Sequence, residues 1–286
     1  MKRAAMLMAV LGICSFSLAQ DKPAAQNPPA GQAAGQAAAA PQGKRMPAAK
    51  TQPEFEAYKA AMALPDAAAT EKAADDFATK FPDSELRIEI YKNAMQKYQQ
   101  ANNADKMLEM AQKALTYDAD DPAALLGAAQ ILAERTRETD LDRDQRLAEA
   151  KKDAERALQT IDTDVPTSGP PPEQLAAYKG FLRSQAYSIL GTLAFNTKGW
   201  ADAETNLRKS IDAFPQQLDA IAVFRLAVAL DMQNKIPEAI KYCDQAVDLT
   251  KDRPDSGVGK VARQEKDRLT KLASGSAPGQ NPAPKN

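Results

Sequence analysis

SQAYSILGTLAFNTKGWADAETNLRKSIDAFPQQ, residues 184–217, is the stretch of sequence that decides the fold. On both sides of residues 197–199 (Thr-Lys-Gly), apolar residues recur at intervals of three and four, which is typical of amphipathic helices. The glycine-containing tripeptide between the two runs predicts a turn. Small side chains at Gly191 and Ala203 leave room for two helices to cross at close range. The stretch therefore predicts a pair of helices that pack against each other.

The pattern occurs a second time, in residues 220–253. Counted from Ser184, the marked residues of the first unit stand at positions 4, 7, 8, 17, 20, 24 and 32, and they are Tyr187, Leu190, Gly191, Trp200, Ala203, Leu207 and Pro215. Counted from Ala220, the second unit has apolar or small residues at positions 7, 20 and 27, namely Leu226, Ala239 and Ala246. This spacing resembles the tetratricopeptide repeat (TPR), a 34-residue helix–turn–helix unit.

Less regular units precede these two, at residues 54–87, 88–121 and 122–161. The unit at 122–161 fits the repeat only with about nine inserted residues around ERTRETDLD, residues 134–142. Residues 261–272 follow the last unit and are rich in charged side chains, which suits a polar cap. The resemblance implies an all-α fold, a TPR-like α-solenoid of antiparallel helix pairs with about five repeats and a C-terminal capping helix.

The two ends of the chain differ in composition from this helical region, which we place at residues 53–273. Residues 1–19 have two basic residues, an uncharged apolar run and a Ser-Leu-Ala ending, the pattern of a cleaved signal peptide. Residues 20–52 and 274–286 are rich in Ala, Gln, Pro and Gly, and we expect a disordered linker and a disordered tail. The sequence thus predicts a periplasmic or secreted protein, with membrane contact only if the signal segment stays uncleaved.

The composition excludes several kinds of function. The chain has no histidine and only two cysteines, so the commonest general base and the usual metal ligands are missing. It has 37 basic and 38 acidic residues, which is unlike the basic surface of a nucleic-acid-binding protein. We therefore expect no cofactor, no metal, no catalytic residue, no nucleic-acid partner and no small-molecule substrate. Cys243 occupies a helix-packing position and is expected to be a buried, unreactive thiol.

Two motifs imitate ligand sites. Lys198-Gly199 lacks the earlier glycines and the following Ser or Thr of a phosphate-binding loop, and helices flank it on both sides. Asp140, Asp142 and Asp144 imitate the start of a calcium loop, but the glycine and glutamate that such a loop requires are absent. We expect a simple turn in both places.

The resemblance also implies where a partner binds. In TPR proteins, positions 2, 5, 9, 12 and 13 of each first helix line a concave groove that holds a segment of another protein. The candidates that these positions and their neighbours supply here are Lys92, Gln96, Gln99, Gln130, Glu134, Gln185, Ser188, Thr192, Phe195, Phe224, Arg225 and Val228. Lys92 is followed by Gln96 where the family's carboxylate-binding pattern has Asn, so the resemblance transfers no specific ligand.

These observations favour a non-enzymatic scaffold that binds an unidentified protein in the cell envelope. Two alternatives stay open: a self-assembling structural protein, and an accessory factor of outer-membrane assembly or cell division. A hypothesis from a different functional class is an enzyme that uses a pair of carboxylates. Whether the groove is covered by the chain's own termini is also open. Trp200 is expected to pack over the turn between two helices, and Phe195 is expected to face the groove.

Overall fold

The computed structural model describes residues 44–253 and 255–275. Over these residues the chain forms eleven α-helices and no strand. They are α1 Gln52–Met62, α2 Ala67–Lys80, α3 Arg87–Gln100, α4 Ala104–Tyr117, α5 Pro122–Arg135, α6 Arg143–Asp164, α7 Pro172–Asn196, α8 Trp200–Ala213, α9 Ala220–Asp231, α10 Ile236–Leu249 and α11 Gly257–Ala273. The predicted signal peptide, most of the linker and most of the tail lie outside the described residues.

Each helix packs against its neighbours in sequence, so the architecture is a solenoid of stacked helix pairs. The pair α7–α8 shows the antiparallel arrangement. At one end Phe195 lies against Trp200, and at the other Gly180 lies against Ala213. The buried residues form several apolar clusters along the stack rather than one central core. The all-α, TPR-like fold class predicted from the sequence is therefore confirmed.

The turn inside three of the pairs, α3–α4, α7–α8 and α9–α10, repeats with the same register. Asn102, Lys198 and Asn234 have positive φ angles of 55°, 60° and 62°. All three stand at position 15 of their units. In each case the next residue donates its backbone N–H to a carbonyl five residues earlier, which closes the end of the first helix. The second helices α4, α8 and α10 then all begin at position 17 and run for 14 residues.

The helix crossing in the pair α7–α8 depends on small residues, as the sequence predicts. Ala203 and Leu207 are fully buried, and Ser210 donates a hydrogen bond of 2.8 Å to the Ser184 carbonyl. Tyr187 and Leu190 are half-buried, whereas Pro215 is exposed after the end of α8. In the next unit the three repeat positions Leu226, Ala239 and Ala246 are fully buried.

Two features depart from regular repeats. Residues 136–142, within the region of the predicted insertion at 134–142, form the loop between α5 and α6, and Leu141 in this loop is fully exposed. Helix α7 begins at Pro172, well before Ser184, and is 25 residues long. Among the described helices, none combines the length and the apolar composition needed to cross a membrane.

The last residues of the predicted linker lie within the described part of the chain and contact the helical domain. Residues 44–50, which we call the strap, lie along the helical domain and hydrogen-bond to it. Thr51 then caps α1 by accepting a hydrogen bond from the backbone N–H of Glu54, so α1 begins at Gln52. Three charged side chains of the strap contact the helical domain, and they are Lys44, Arg45 and Lys50.

Candidate functional site

The predicted groove residues lie on the first helices of four units, α3, α5, α7 and α9. These helices contact one another in series: α3 contacts α5, α5 contacts α7, α7 contacts α9, and α9 contacts α11. Their shared surface is the candidate groove. Seven of the twelve residues that the sequence assigned to it fall into three environments: a buried ion cluster on α3, a polar cluster on α5, α7 and α9, and an apolar stripe on α9.

Lys92 does not face an open groove. Its Nζ lies 2.9 Å from Oε1 of Glu89 and 2.9 Å from Oδ2 of Asp121, and its side chain is only 16% exposed. Although burial alone favours loss of the proton, the Asp121 and Glu89 carboxylates raise the pKa of Lys92 well above its usual range. Asp121 also caps α5 by accepting a hydrogen bond of 2.8 Å from the N–H of Ala124. Lys92 therefore has a structural role and is not available to a partner.

The first turns of α7 account for this burial. Leu175 and Tyr178 pack into the same apolar cluster as Leu126, which stands at a groove position of α5 and is only 3% exposed. Tyr178 lies close enough to Lys92 and Asp121 for their charges to act on its phenol, and burial raises its pKa to about 12. Helix α7 begins at Pro172, twelve residues before the repeat unit that starts at Ser184. The repeat pattern gave no sign that its additional turns cover the groove, because they precede the repeat unit.

A polar cluster joins α5, α7 and α9 further along. Nη1 of Arg225 donates a hydrogen bond of 2.8 Å to Oγ1 of Thr192, and Thr192 donates one of 2.8 Å to the Ser188 carbonyl. Burial lowers the pKa of Arg225, while the charge of Glu134 acts in the opposite direction. Glu134 is exposed at the surface, but partial desolvation still raises its pKa, although Gln130 donates a hydrogen bond to it.

An apolar stripe lies on α9 beside this cluster. Ile221 and Met232 are 47% and 54% exposed, and Phe224 and Val228 between them are half-buried. The spacing of three, four and four residues places all four on one face of the helix. No described side chain covers the two ends of the stripe enough to bury them.

The stripe continues towards α11. Asp231 of α9 pairs with Arg268 of α11, so this side of α11 faces the groove. Val261 and Leu272 share a helix face with Arg268 and are 42% and 45% exposed. The buried contacts of α11 are made by Ala262 and Leu269.

Phe195 and Trp200 form a single packing unit. Their ring centroids are 5.4 Å apart and the rings meet edge to face, at 78°. The Trp200 carbonyl accepts a hydrogen bond of 3.2 Å from the Gln233 side chain, which ties the start of α8 to the end of α9. Phe195 therefore supports Trp200 at the turn, and it is less free to contact a partner than its groove position implies.

The remaining candidates are spread along the surface. Gln96, Gln185 and Ser188 are half-buried, and Gln99 is exposed. No cluster of acidic, cysteine or histidine residues suited to a metal ion occurs in residues 44–253 and 255–275. Asp140 accepts a hydrogen bond from the Arg137 backbone, as in a simple turn. Cys243 is fully buried and free, as predicted, and burial together with nearby Glu265 raises its pKa to about 12.

No protein-family model and no curated protein matches the sequence. Among solved structures, PilW, a widely conserved type IV pilus biogenesis factor, is 17% identical, over 74% of this chain and 99% of that chain, with a TM-score of 0.39. Acl4, an assembly chaperone of RpL4, is 15% identical over 77% and 99% of the two chains, with a TM-score of 0.37. YrrB, a TPR protein with an unusual peptide-binding site, is 17% identical over 67% and 99%, with a TM-score of 0.26. Three helix pairs of this chain have a left-handed residue at position 15 and a second helix that begins at position 17. By this repeat geometry, the chain is a TPR-like α-solenoid.

Proposed function

We propose that the protein is a non-enzymatic scaffold that binds a segment of another protein along the α7–α9–α11 part of the groove. The observation that carries this proposal is the open apolar stripe on α9, whose ends Ile221 and Met232 are about half exposed. Exposed apolar stripes bordered by polar groups are typical of protein-binding surfaces. The start of α3 and of α5 does not contribute, because the α7 extension and the Lys92 cluster occupy that part of the groove.

The chemistry of the surface indicates which kind of partner segment it binds. Ile221, Phe224, Val228 and Met232 fit apolar side chains that recur along one face of a helix or an extended peptide. Arg225 lies beside this stripe, and among the described residues it has a hydrogen bond to Thr192 but no carboxylate within ion-pair distance. A guanidinium retains several donors after one hydrogen bond. The best fit is therefore an amphipathic segment that carries a carboxylate near its apolar residues.

We place this activity in the cell envelope on the evidence of the N-terminal sequence. Residues 1–19 have the charged start, the apolar run and the small-residue ending of an export signal. An exported scaffold without a chemical site would act by holding other envelope proteins together or by presenting them to a larger assembly.

Site-specific photo-crosslinking in cells that make the protein tests the proposal. A photoreactive amino acid in place of Met232 should capture a partner protein, whereas one in place of Thr205, which is exposed on α8, should not. Adding Ile221→Asp should abolish capture at position 232, because a charge then lies in the apolar stripe, and Thr205→Asp should leave it unchanged. Capture of only a second copy of the chain would favour self-assembly, and equal capture at both positions would contradict groove binding.

A further inference from the structure

The strap follows the edge of the solenoid where each unit joins the next. Nζ of Lys50 donates a hydrogen bond of 2.7 Å to the Asp83 carbonyl, and Arg45 pairs with Glu85. Lys44 pairs with Asp118 and lies 3.4 Å from Asp164. Every cation of the strap therefore has an oxygen partner on the helical domain.

These partners lie in three successive connections between units. Asp83 and Glu85 lie between α2 and α3, Asp118 lies between α4 and α5, and Asp164 ends α6. We call this series the loop edge; it comprises residues 83–85, 118–120 and 163–167. The strap therefore runs backwards along the solenoid, from the end of α6 to the start of α1.

Hydrogen bonds at the two ends of the strap also fix its direction and its register on the loop edge. Lys44 donates its backbone N–H to the Thr163 carbonyl at 3.0 Å, and its carbonyl accepts from Thr167 N–H at 3.3 Å. At the other end, the Lys50 N–H donates to Oε2 of Glu54 at 2.7 Å, and Ala49 packs against the first apolar cluster, which is formed by buried residues of α1 to α5. The two backbone hydrogen bonds of Lys44 fix its position at the end of α6.

Glu54 is held in place for this contact. It is only 3% exposed, and Oγ of Ser84 donates a hydrogen bond of 2.5 Å to its Oε1. Although burial alone raises the pKa of Glu54, the hydrogen bonds from Ser84 and from the Lys50 backbone lower it below the usual range. A buried carboxylate on the loop-edge side thus accepts the N–H at the end of the strap.

From this arrangement we propose that the loop edge is a second peptide-binding surface, selective for extended basic segments, and that the strap is its ligand in cis. A basic, extended segment of another chain takes the same surface by displacing the strap. Ion pairs that are partly exposed are weak and are screened by salt, so they permit exchange. The strap remains bound mainly because it is covalently attached to the domain at Thr51 and its effective concentration is high.

None of the loop-edge residues belongs to the groove on α7, α9 and α11. The proposal is therefore independent of the proposed function: it predicts no change in photo-crosslinking at Met232 when the strap is released, and loss of groove binding would not affect the strap.

Hydrogen exchange of the full-length chain tests the cis contact. The Thr167 N–H should be protected in the wild-type protein, and it should exchange about tenfold faster in Lys44→Glu/Arg45→Glu, because release of the strap moves its acceptor, the backbone carbonyl of residue 44, away. Lys271→Glu, an exposed charge reversal on α11, should leave the rate unchanged. Restoring opposite charges with Asp118→Lys and Asp164→Lys in the Lys44→Glu/Arg45→Glu protein should restore part of the protection. Equal Thr167 exchange in wild type and Lys44→Glu/Arg45→Glu would overturn the proposal.

Fluorescence anisotropy with a labelled KRMPAAK peptide tests binding in trans. The peptide should bind full-length Lys44→Glu/Arg45→Glu at low salt, and bind the wild-type protein about tenfold more weakly, because there the attached strap competes. A peptide with Glu in place of its first two residues should not bind either protein. Circular dichroism of the variant shows whether it is folded. Failure of the basic peptide to bind the folded variant, or equal binding of the basic and acidic peptides, would overturn the proposal.

Discussion

Gly191 and Leu207 set the distance between α7 and α8. A Cβ atom on Gly191 would lie 2.7 Å from Cγ of Leu207 and 3.2 Å from its backbone nitrogen. A side-chain rotation of Leu207 relieves the first contact but not the second. The helices can therefore cross at this distance only because position 8 of the unit has no side chain.

Gly191→Ala should lower the free energy of unfolding by about 1–3 kcal/mol, since the added methyl group overpacks the crossing. Urea unfolding followed by circular dichroism measures the change. Gly257→Ala is the matched control: nothing lies within 4 Å of the added Cβ in the first turn of α11, and we expect a stability equal to wild type or up to about 1 kcal/mol higher. An equal effect of the two substitutions would show that helix propensity, and not the Leu207 contact, decides the result.

Cys243 should be chemically silent in the folded protein. It is fully buried in α10, and a pKa of about 12 leaves almost no thiolate at pH 8. Iodoacetamide should leave Cys243 unmodified in the native protein over a period in which it labels the residue completely in urea, as read by peptide mass spectrometry. A cysteine introduced at the exposed position Thr205 should react at an ordinary rate in the native protein. Comparable rates at Cys243 and position 205 would refute the burial of the thiol.

The local part of the fold could be predicted from the sequence, because its determinants lie within one unit. The spacing of Tyr187, Gly191 and Ala203 is enough to define a helix pair and its turn, and the structure reproduces both. The role of Trp200 as a packing residue follows from the same register.

The parts that sequence reasoning missed depend on distant contacts. Lys44 reaches acids 74 and 120 residues away, and a composition rich in Ala and Pro gives no sign of this pairing. Lys92 is at a groove position by repeat counting, but Tyr178, from an extension outside any repeat unit, lies beside its cluster. Counting assigns a residue to a face of its own helix, but it cannot show what another unit places over that face.

Phe195 and Trp200 should stabilise the fold cooperatively. Edge-to-face aromatic pairs contribute about 0.5–1.5 kcal/mol beyond their buried area. A double-mutant cycle with Phe195→Leu and Trp200→Leu should therefore give a coupling energy in that range, measured by urea unfolding. Phe77 lies in the first apolar cluster, so Phe77→Leu combined with Trp200→Leu should be additive. Additivity of the Phe195 and Trp200 changes would mean that Phe195 is free to face the groove after all.

Lys92→Met should cost about 3–5 kcal/mol at pH 7, because Asp121 and Glu89 then lie in a mostly buried site without a cation. Lys151→Met is the control: its pair with Glu155 is exposed, and we expect a change below about 0.5 kcal/mol.

The pH dependence of the same variant distinguishes loss of charge from loss of packing. The pKa of Lys92 is raised in the folded state, so its charge stabilises the fold fully below the unfolded-state pKa of about 10.4, and this contribution declines as pH rises towards the folded pKa. Urea unfolding between pH 7 and 11 should therefore show a constant gap between wild type and Lys92→Met up to about pH 10, and a smaller gap above it. A gap that is unchanged through pH 11 would indicate that Lys92 stabilises the fold by packing its methylene groups, since only the charge responds to alkaline pH.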